Sequence, residues 1–283
     1  MFELIGCPMH CGVPDIGKGL CEGTDTLNRL FPELRIRKIP EILCDEGAER
    51  PNLKMLQSVI ATCEAIAREE NAVKQRGNIP VFIGGDHACG LGTVGGSAAT
   101  EERLGLIWVD AHSDINTDVS TISGRIHGMP VSALMGYGEP SLCSIFGEEP
   151  KILPQDVVLF GVRDMDPLEV EIVERLNIAC YSYEEIQANG LAASLEKAVR
   201  HFRHTSRLHI SFDLDAMDPE QIPGVTVPVP SGFSEEDIFS IFGYLLGHCN
   251  VASMDIVEFN PLNDIENRTA DFVRRLIHKI CKA

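Results

Sequence analysis

Five short apolar runs, each cut off sharply by polar or glycine residues, constrain the fold of this chain most: Pro80–Ile83, Leu104–Val109, Val157–Phe160, Leu208–Phe212 and Val251–Val257. Runs this short and continuously apolar suit strands of a parallel sheet covered on both faces. Helical patterns lie between them. Leu53, Leu56, Ile60, Cys63 and Ala67 recur at three- and four-residue spacing, as do Leu191, Leu195, Ala198, Val199 and Phe202. Ser234 followed by Glu235, Glu236 and Asp237 marks a helix start with an acidic first turn. A last helix is predicted over Asn267–Lys282. No repeat, low-complexity stretch or linker interrupts the 283 residues. The pattern therefore predicts one α/β domain, residues 1–283, with a mostly parallel sheet.

Charge and cysteine usage narrow the partners. With 24 basic against 42 acidic residues the formal charge is −18, which repels phosphate backbones and anionic lipid. No nucleic acid and no membrane is expected as a partner. No apolar stretch reaches the roughly 20 residues that span a bilayer, and the segment from Met1 to Cys7 lacks the features of a signal peptide. Ten cysteines scattered singly suit a reducing compartment, so a cytoplasmic location is expected. Cys7-Pro-Met-His10-Cys11 reads as a loop after the first strand rather than a metal site. The glycines of Gly90–Gly96 complete neither a dinucleotide fingerprint nor a P-loop.

In open α/β sheets ligands bind beyond the carboxyl ends of the strands, and three of the runs end in polar clusters. Asp110, His112 and Asp114 are spaced by two, so extended backbone would send all three side chains to one side. Asp213 and Asp215 repeat the arrangement. In Ile83-Gly84-Gly85-Asp86-His87 the glycines permit a tight turn. Any one cluster reads equally well as a turn or a helix cap; three at three strand ends do not. Converging carboxylates repel one another and resist ionisation unless cations compensate. Oxygen donors with two imidazoles favour Mn²⁺ and also admit Mg²⁺ or Zn²⁺. A metal pair roughly 3.5–4 Å apart makes hydroxide available at neutral pH.

Gly84-Gly-Asp-His87, Asp110-Ala-His-Ser-Asp114 and Ser211-Phe-Asp-Leu-Asp-Ala-Met-Asp-Pro219 resemble the three signatures of the ureohydrolases, the family of arginases, agmatinases and formimidoylglutamases. They occur in order across nearly the whole chain. Asn116, Thr121-Ile-Ser-Gly-Arg-Ile-His127-Gly-Met-Pro130, Gly161-Val-Arg-Asp-Met-Asp166-Pro and Met254-Asp-Ile-Val-Glu258-Phe-Asn-Pro261 resemble the arginase branch in particular. The resemblance implies a three-layer α/β/α sandwich with a mostly parallel central sheet. It also implies two Mn²⁺ per chain and a homo-oligomer, trimer or hexamer. The implied reaction is hydrolysis of a small guanidino substrate, with L-arginine to L-ornithine and urea the leading case. Two alternatives stand beside it. One is the same chemistry on agmatine or another guanidino or amidino acid; the other is a metal-loaded, weakly catalytic arginine-binding protein.

The resemblance also implies roles. His87, Asp110, Asp114 and Asp213 would hold one ion, and Asp110, His112, Asp213 and Asp215 the other. Glu258 would pair with the guanidinium, Asp114 would pass a proton to the leaving amine, and His127 would act as shuttle or acid. Asn116, Thr121 and Ser123 would receive the α-carboxylate, directly or through water. Asp166 would face the α-amino group with Glu169 behind it, although Asp166-Pro167 and Glu169 also read as a helix cap, N1 proline and capping box. Two positions depart from the family pattern. Val227 stands where relatives carry a threonine whose hydroxyl orients the guanidinium, and Thr226 is the neighbouring substitute. Arg125 stands where arginases carry asparagine, as either a reader of the substrate carboxylate or the partner of a surface acid. Arg163 is expected to pair with a carboxylate, in the fold or at a subunit interface.

Overall fold

The computed structural model describes residues 1–48, 50–148 and 150–282. Its strands are β1 (Phe2–Gly6), β2 (Arg37–Lys38), β3 (Ile79–Ile83), β4 (Leu104–Val109), β5 (Val157–Val162), β6 (Ala179–Ser182), β7 (Arg207–Asp213) and β8 (Val251–Val257). They form one sheet in the order β2-β1-β3-β8-β7-β4-β5-β6, every pairing parallel. The helices are α1 (Gly23–Leu30), α2 (Leu56–Gln75), α3 (Gly90–Ala98), α4 (Pro130–Leu134), α5 (Pro140–Cys143), α6 (Pro167–Leu176), α7 (Tyr183–Asn189), α8 (Leu191–Arg200), α9 (Glu235–His248) and α10 (Arg268–Ile280).

Neighbouring residues of a strand point to opposite faces, and here they enter two separate cores. Leu106, Trp108 and Leu159 pack with Val59, Ile66 and Val94 from α2 and α3. Ile107, Val109 and Val158 pack with Leu195, Phe242, Phe272 and Leu276 from α8, α9 and α10. That is the three-layer sandwich, and it explains why β4 and β5 carry no polar side chain. The short edge strands β2 and β6 carry no such signal: both residues of β2 are exposed, and β6 is only half-buried. The helix over the Leu53–Ala67 stripe begins at Leu56, because Leu53 sits in the preceding turn. Ser234 caps α9, its hydroxyl accepting from the Asp237 N–H at 3.2 Å. Among the described residues no helix is long and apolar enough to cross a membrane.

The strand order positions the site. β3, β8, β7 and β4 are neighbours, so the polar segments after four strands distant in sequence meet at one end of the sheet. The turn after β3 needs glycine. Gly85 has φ +89°, and a Cβ there would lie 2.3 Å from the Cys7 carbonyl oxygen.

Candidate active site

The segment after β4 departs from extended backbone: the strand ends at Val109, and Asp114 adopts φ +50°. Glu258, the first residue after β8, also has a left-handed backbone, at φ +63°. Non-glycine residues held there store strain of roughly 1–3 kcal/mol, typically at functional sites. Asp86 caps the turn that presents His87, accepting from the Ala88 and Gly12 N–H groups at 2.9 Å each. Asp213 closes β7 and accepts from the Asp215 N–H at 2.7 Å.

These turns bring two donor groups together, one of His87, Asp110 and Asp213 and one of Asp110, His112 and Asp215, with Asp110 common to both. The Nδ1 atom of His87 lies 2.9 Å from Asp110 Oδ2, 3.1 Å from Asp114 Oδ2 and 3.1 Å from Asp213 Oδ2. His112 Nδ1 lies 3.0 Å from Asp215 Oδ2 and 3.5 Å from Asp110 Oδ1. Electrostatics sets a severe constraint here. Burial, then the Asp110 charge, pushes Asp114 up to about 7 and Asp215 up to about 6. Burial, then Asp215 and Asp110, raises Asp213 well above the carboxylate range. Burial opposes ionisation of Asp110 too, but the neighbouring His112 and His87 rings outweigh it and hold its carboxyl low.

The donor set fits metal ions. Ser211 Oγ donates to Asp255 Oδ1 at 2.5 Å, which spends its one proton. It must therefore accept from His87 Nε2, 2.9 Å away. That leaves His87 Nδ1 as the atom facing three carboxylate oxygens, buried and without a hydrogen bond of good geometry. A lone pair ringed by anionic oxygens is a site that a cation at its centre would stabilise. Octahedral coordination at about 2.1 Å separates adjacent ligand atoms by about 3.0 Å, the spacing seen around this nitrogen.

Beyond the cluster the wall changes character. His112, Asp114, Asn116, Arg125, His127, Asp166, Val227 and Glu258 are among the residues lining a cavity of 180 Å³. Glu258 Oε1 accepts from the His87 N–H at 3.0 Å and lies 3.1 Å from His127 Nδ1. Its Oε2 is buried with no partner. An unpaired buried carboxylate oxygen costs free energy unless a donor arrives, so the cavity has a place made for a cationic N–H group. Burial disfavours the charged His127, but the Glu258 contact more than compensates and raises its pKa.

Other expected residues sit differently. Thr121 and Ser123 do not line the cavity. Their hydroxyls close a local turn, accepting from the Gly124 and Arg125 N–H groups at 3.0 and 3.3 Å. Arg125 does line it, but its Nε and Nη2 grip Asp15, each at 2.9 Å. Thr226 gives no substitute hydroxyl, since its Oγ1 accepts from Asn260 Nδ2 at 3.2 Å and only Val227 reaches the wall. Glu169 is fully engaged. It accepts from the Asp166 N–H at 2.8 Å in a capping box and from Ser113 Oγ at 2.7 Å. Asn116 Nδ2 lies 3.4 Å from Asp166 Oδ2. Among the described residues Arg163 pairs with no carboxylate; it donates to backbone carbonyls instead.

Sequence reading missed the support beneath His87. Asp255 accepts from Ser211, from Thr93 Oγ1 at 2.7 Å and from His209 Nε2 at 3.0 Å, all buried. The signal was present as polar residues at alternate positions, His209, Ser211 and Asp213, inside an apolar strand.

Comparison with known proteins settles the family. The Arginase family profile matches residues 8–282. The chain belongs to the arginase family. An arginase of Bacillus caldovelox is 38% identical, the match covering 95% of this chain and 94% of that one. The solved native structure of Bacillus caldovelox arginase superposes with a TM-score of 0.90 at 33% identity, covering 99% of this chain and 97% of that one. An Entamoeba histolytica arginase in complex with L-ornithine gives a TM-score of 0.89 at 29% identity, covering 99% and 97%. Members of the arginase family are binuclear metal hydrolases of guanidino compounds, and this member brings candidate ligands together at the strand ends where such a centre belongs.

Proposed function

We propose that this protein is a cytoplasmic, homo-oligomeric hydrolase, a single domain over 1–283, that converts L-arginine and water to L-ornithine and urea with two Mn²⁺ bound. The observation that carries the reading is the orphaned Oε2 of Glu258, buried on the cavity wall beside the carboxylate cluster. A guanidinium is planar and always charged, and it matches a carboxylate with paired N–H donors. His87, Asp110, Asp114 and Asp213 would hold one ion, and Asp110, His112, Asp213 and Asp215 the other. When bound, the pair lowers the pKa of water so that hydroxide is available at neutral pH.

The chain's own residues do the rest. Glu258 holds the guanidinium so that its carbon faces the cluster. Water oxygen bonds to that carbon, the carbon–Nε bond breaks, and the amine leaves with a proton passed on by Asp114. His127 carries protons between this site and the cavity mouth, where it is partly exposed. The enzyme class is tested by urea release from L-arginine, agmatine, guanidinobutyrate and formimidoylglutamate, with and without Mn²⁺. Metal-dependent release from arginine supports the reading. Two ions bound with no turnover on any of the four would leave only an arginine-binding protein.

Substrate choice turns on the cavity mouth. With Thr121 and Ser123 off the wall, Asn116 and Arg125 remain to receive the far carboxylate of the substrate, while Asp166 faces the amino group. Arg125 gives Nε and Nη2 to Asp15 and keeps the edge at Nη1. A charge-assisted hydrogen bond contributes about 1.5–3 kcal/mol, so arginine should be preferred over agmatine by roughly 10- to 150-fold in kcat/KM. Arg125 itself, half-exposed and neutralised by Asp15, supplies only about 1 kcal/mol of that, roughly fivefold. Arg125→Asn should therefore lower kcat/KM for arginine about fivefold and leave agmatine unchanged. Equal losses on both substrates would remove Arg125 from carboxylate recognition.

A further inference from the structure

One charged side chain at this end of the sheet has no counter-ion among the described residues. Arg163, just beyond β5, has no carboxylate oxygen within 4.0 Å among the described residues. Its guanidinium instead collects six backbone carbonyls: Asp215 at 2.8 Å, Ala216 at 3.2 Å, Met217 at 3.3 Å, Val229 at 3.0 Å, Pro230 at 3.1 Å and Ser231 at 2.9 Å. Its main chain works on a second loop, since the Arg163 and Asp164 N–H groups donate to the Ala111 carbonyl at 2.8 and 3.0 Å. Ala111 in turn donates its N–H to Asp215 Oδ1 at 3.2 Å. Gly232, at φ +132°, lets the 229–231 segment close on the guanidinium; a Cβ there would lie 2.8 Å from Arg163 Nη2.

We propose that Arg163 is a positioning residue that fixes the spacing between the Asp110–His112 loop and Asp215, and so sets the affinity of one of the two metal positions selectively. The proposal rests on the two-ion reading above. Arg163 spans the loops carrying the Asp110, His112 and Asp215 group, whereas His87 and its support hang from β3, β7 and β8 on the far side of Asp110. Loss of Arg163 thus loosens one half of the cluster. Its contacts with Val229, Pro230 and Ser231 also steady the segment that puts Val227 on the cavity wall.

The test uses Mn²⁺ alone, with equilibrium dialysis and electron paramagnetic resonance on the full chain. Arg163→Lys keeps the charge, but an ammonium has three donors and cannot span six carbonyls. The wild type should bind two Mn²⁺ with an exchange-coupled spectrum. The variant should keep one ion at near-native affinity, bind the second about 10- to 100-fold more weakly, and show the six-line signal of an isolated ion. Tyr183→Leu, which removes the ring 5.7 Å beneath the guanidinium, should weaken the same position less and carries the test if Arg163→Lys does not fold. Retention of both ions at native affinity, or equal weakening of both positions, would overturn the proposal. A wild-type chain that never holds two ions would instead overturn the metal reading on which it rests.

Discussion

Asp110→Ala is expected to abolish metal-dependent urea release, lowering kcat/KM by roughly 1,000-fold or more, about 4 kcal/mol in the barrier. Asp110 is common to both donor groups. Its Oδ2 faces His87 and its Oδ1 faces His112, so one truncation opens both halves. His87→Ala should do less damage, since it removes a ligand from one half alone. Metal removal from the wild type should have the same kinetic effect and lower the melting temperature, because ions that bind only the folded chain stabilise it. Inductively coupled plasma analysis alongside the kinetics checks this. Full activity in chelator-treated, metal-free protein would refute it.

Glu258→Gln is expected to fold and to keep its metal while losing roughly 10- to 150-fold in kcat/KM, the worth of a charge-assisted pair. Glutamine has the same shape, and its amide oxygen can still accept from the His87 N–H that Glu258 now holds at 3.0 Å. What it cannot supply is the negative charge at Oε2. If the guanidinium contact strengthens as the carbon is attacked, kcat falls; if it is uniform, only KM rises. Unchanged kinetics in a metal-replete variant would place Glu258 outside the reaction.

The parts legible in the sequence were those whose cause is local. A central strand buried on both faces is mostly apolar, so β4 and β5 announced themselves throughout, and β7 and β8 by their apolar residues despite the polar ones between them. Carboxylates and histidines at the ends of such strands had no other economical explanation. What the sequence did not reveal depends on partners brought close only by folding. Arg125 is held by Asp15, 110 positions away, through a loop with no periodic signal. Arg163 looked like half of an ion pair because backbone carbonyls leave no mark in a sequence. Thr121 and Ser123 matched a pattern by position, yet the conformation of their loop turns both hydroxyls to neighbouring N–H groups. Glu169 served two readings at once, and the geometry gives its oxygens to the helix cap and to Ser113.

The most direct test of the account is product analysis of a single turnover on L-arginine by the Mn²⁺-loaded protein in ¹⁸O-enriched water. Attack of water on the guanidinium carbon with cleavage to the side-chain nitrogen predicts one ¹⁸O in urea and unlabelled ornithine. Citrulline and ammonia, or arginine recovered unchanged with both ions bound, would contradict it.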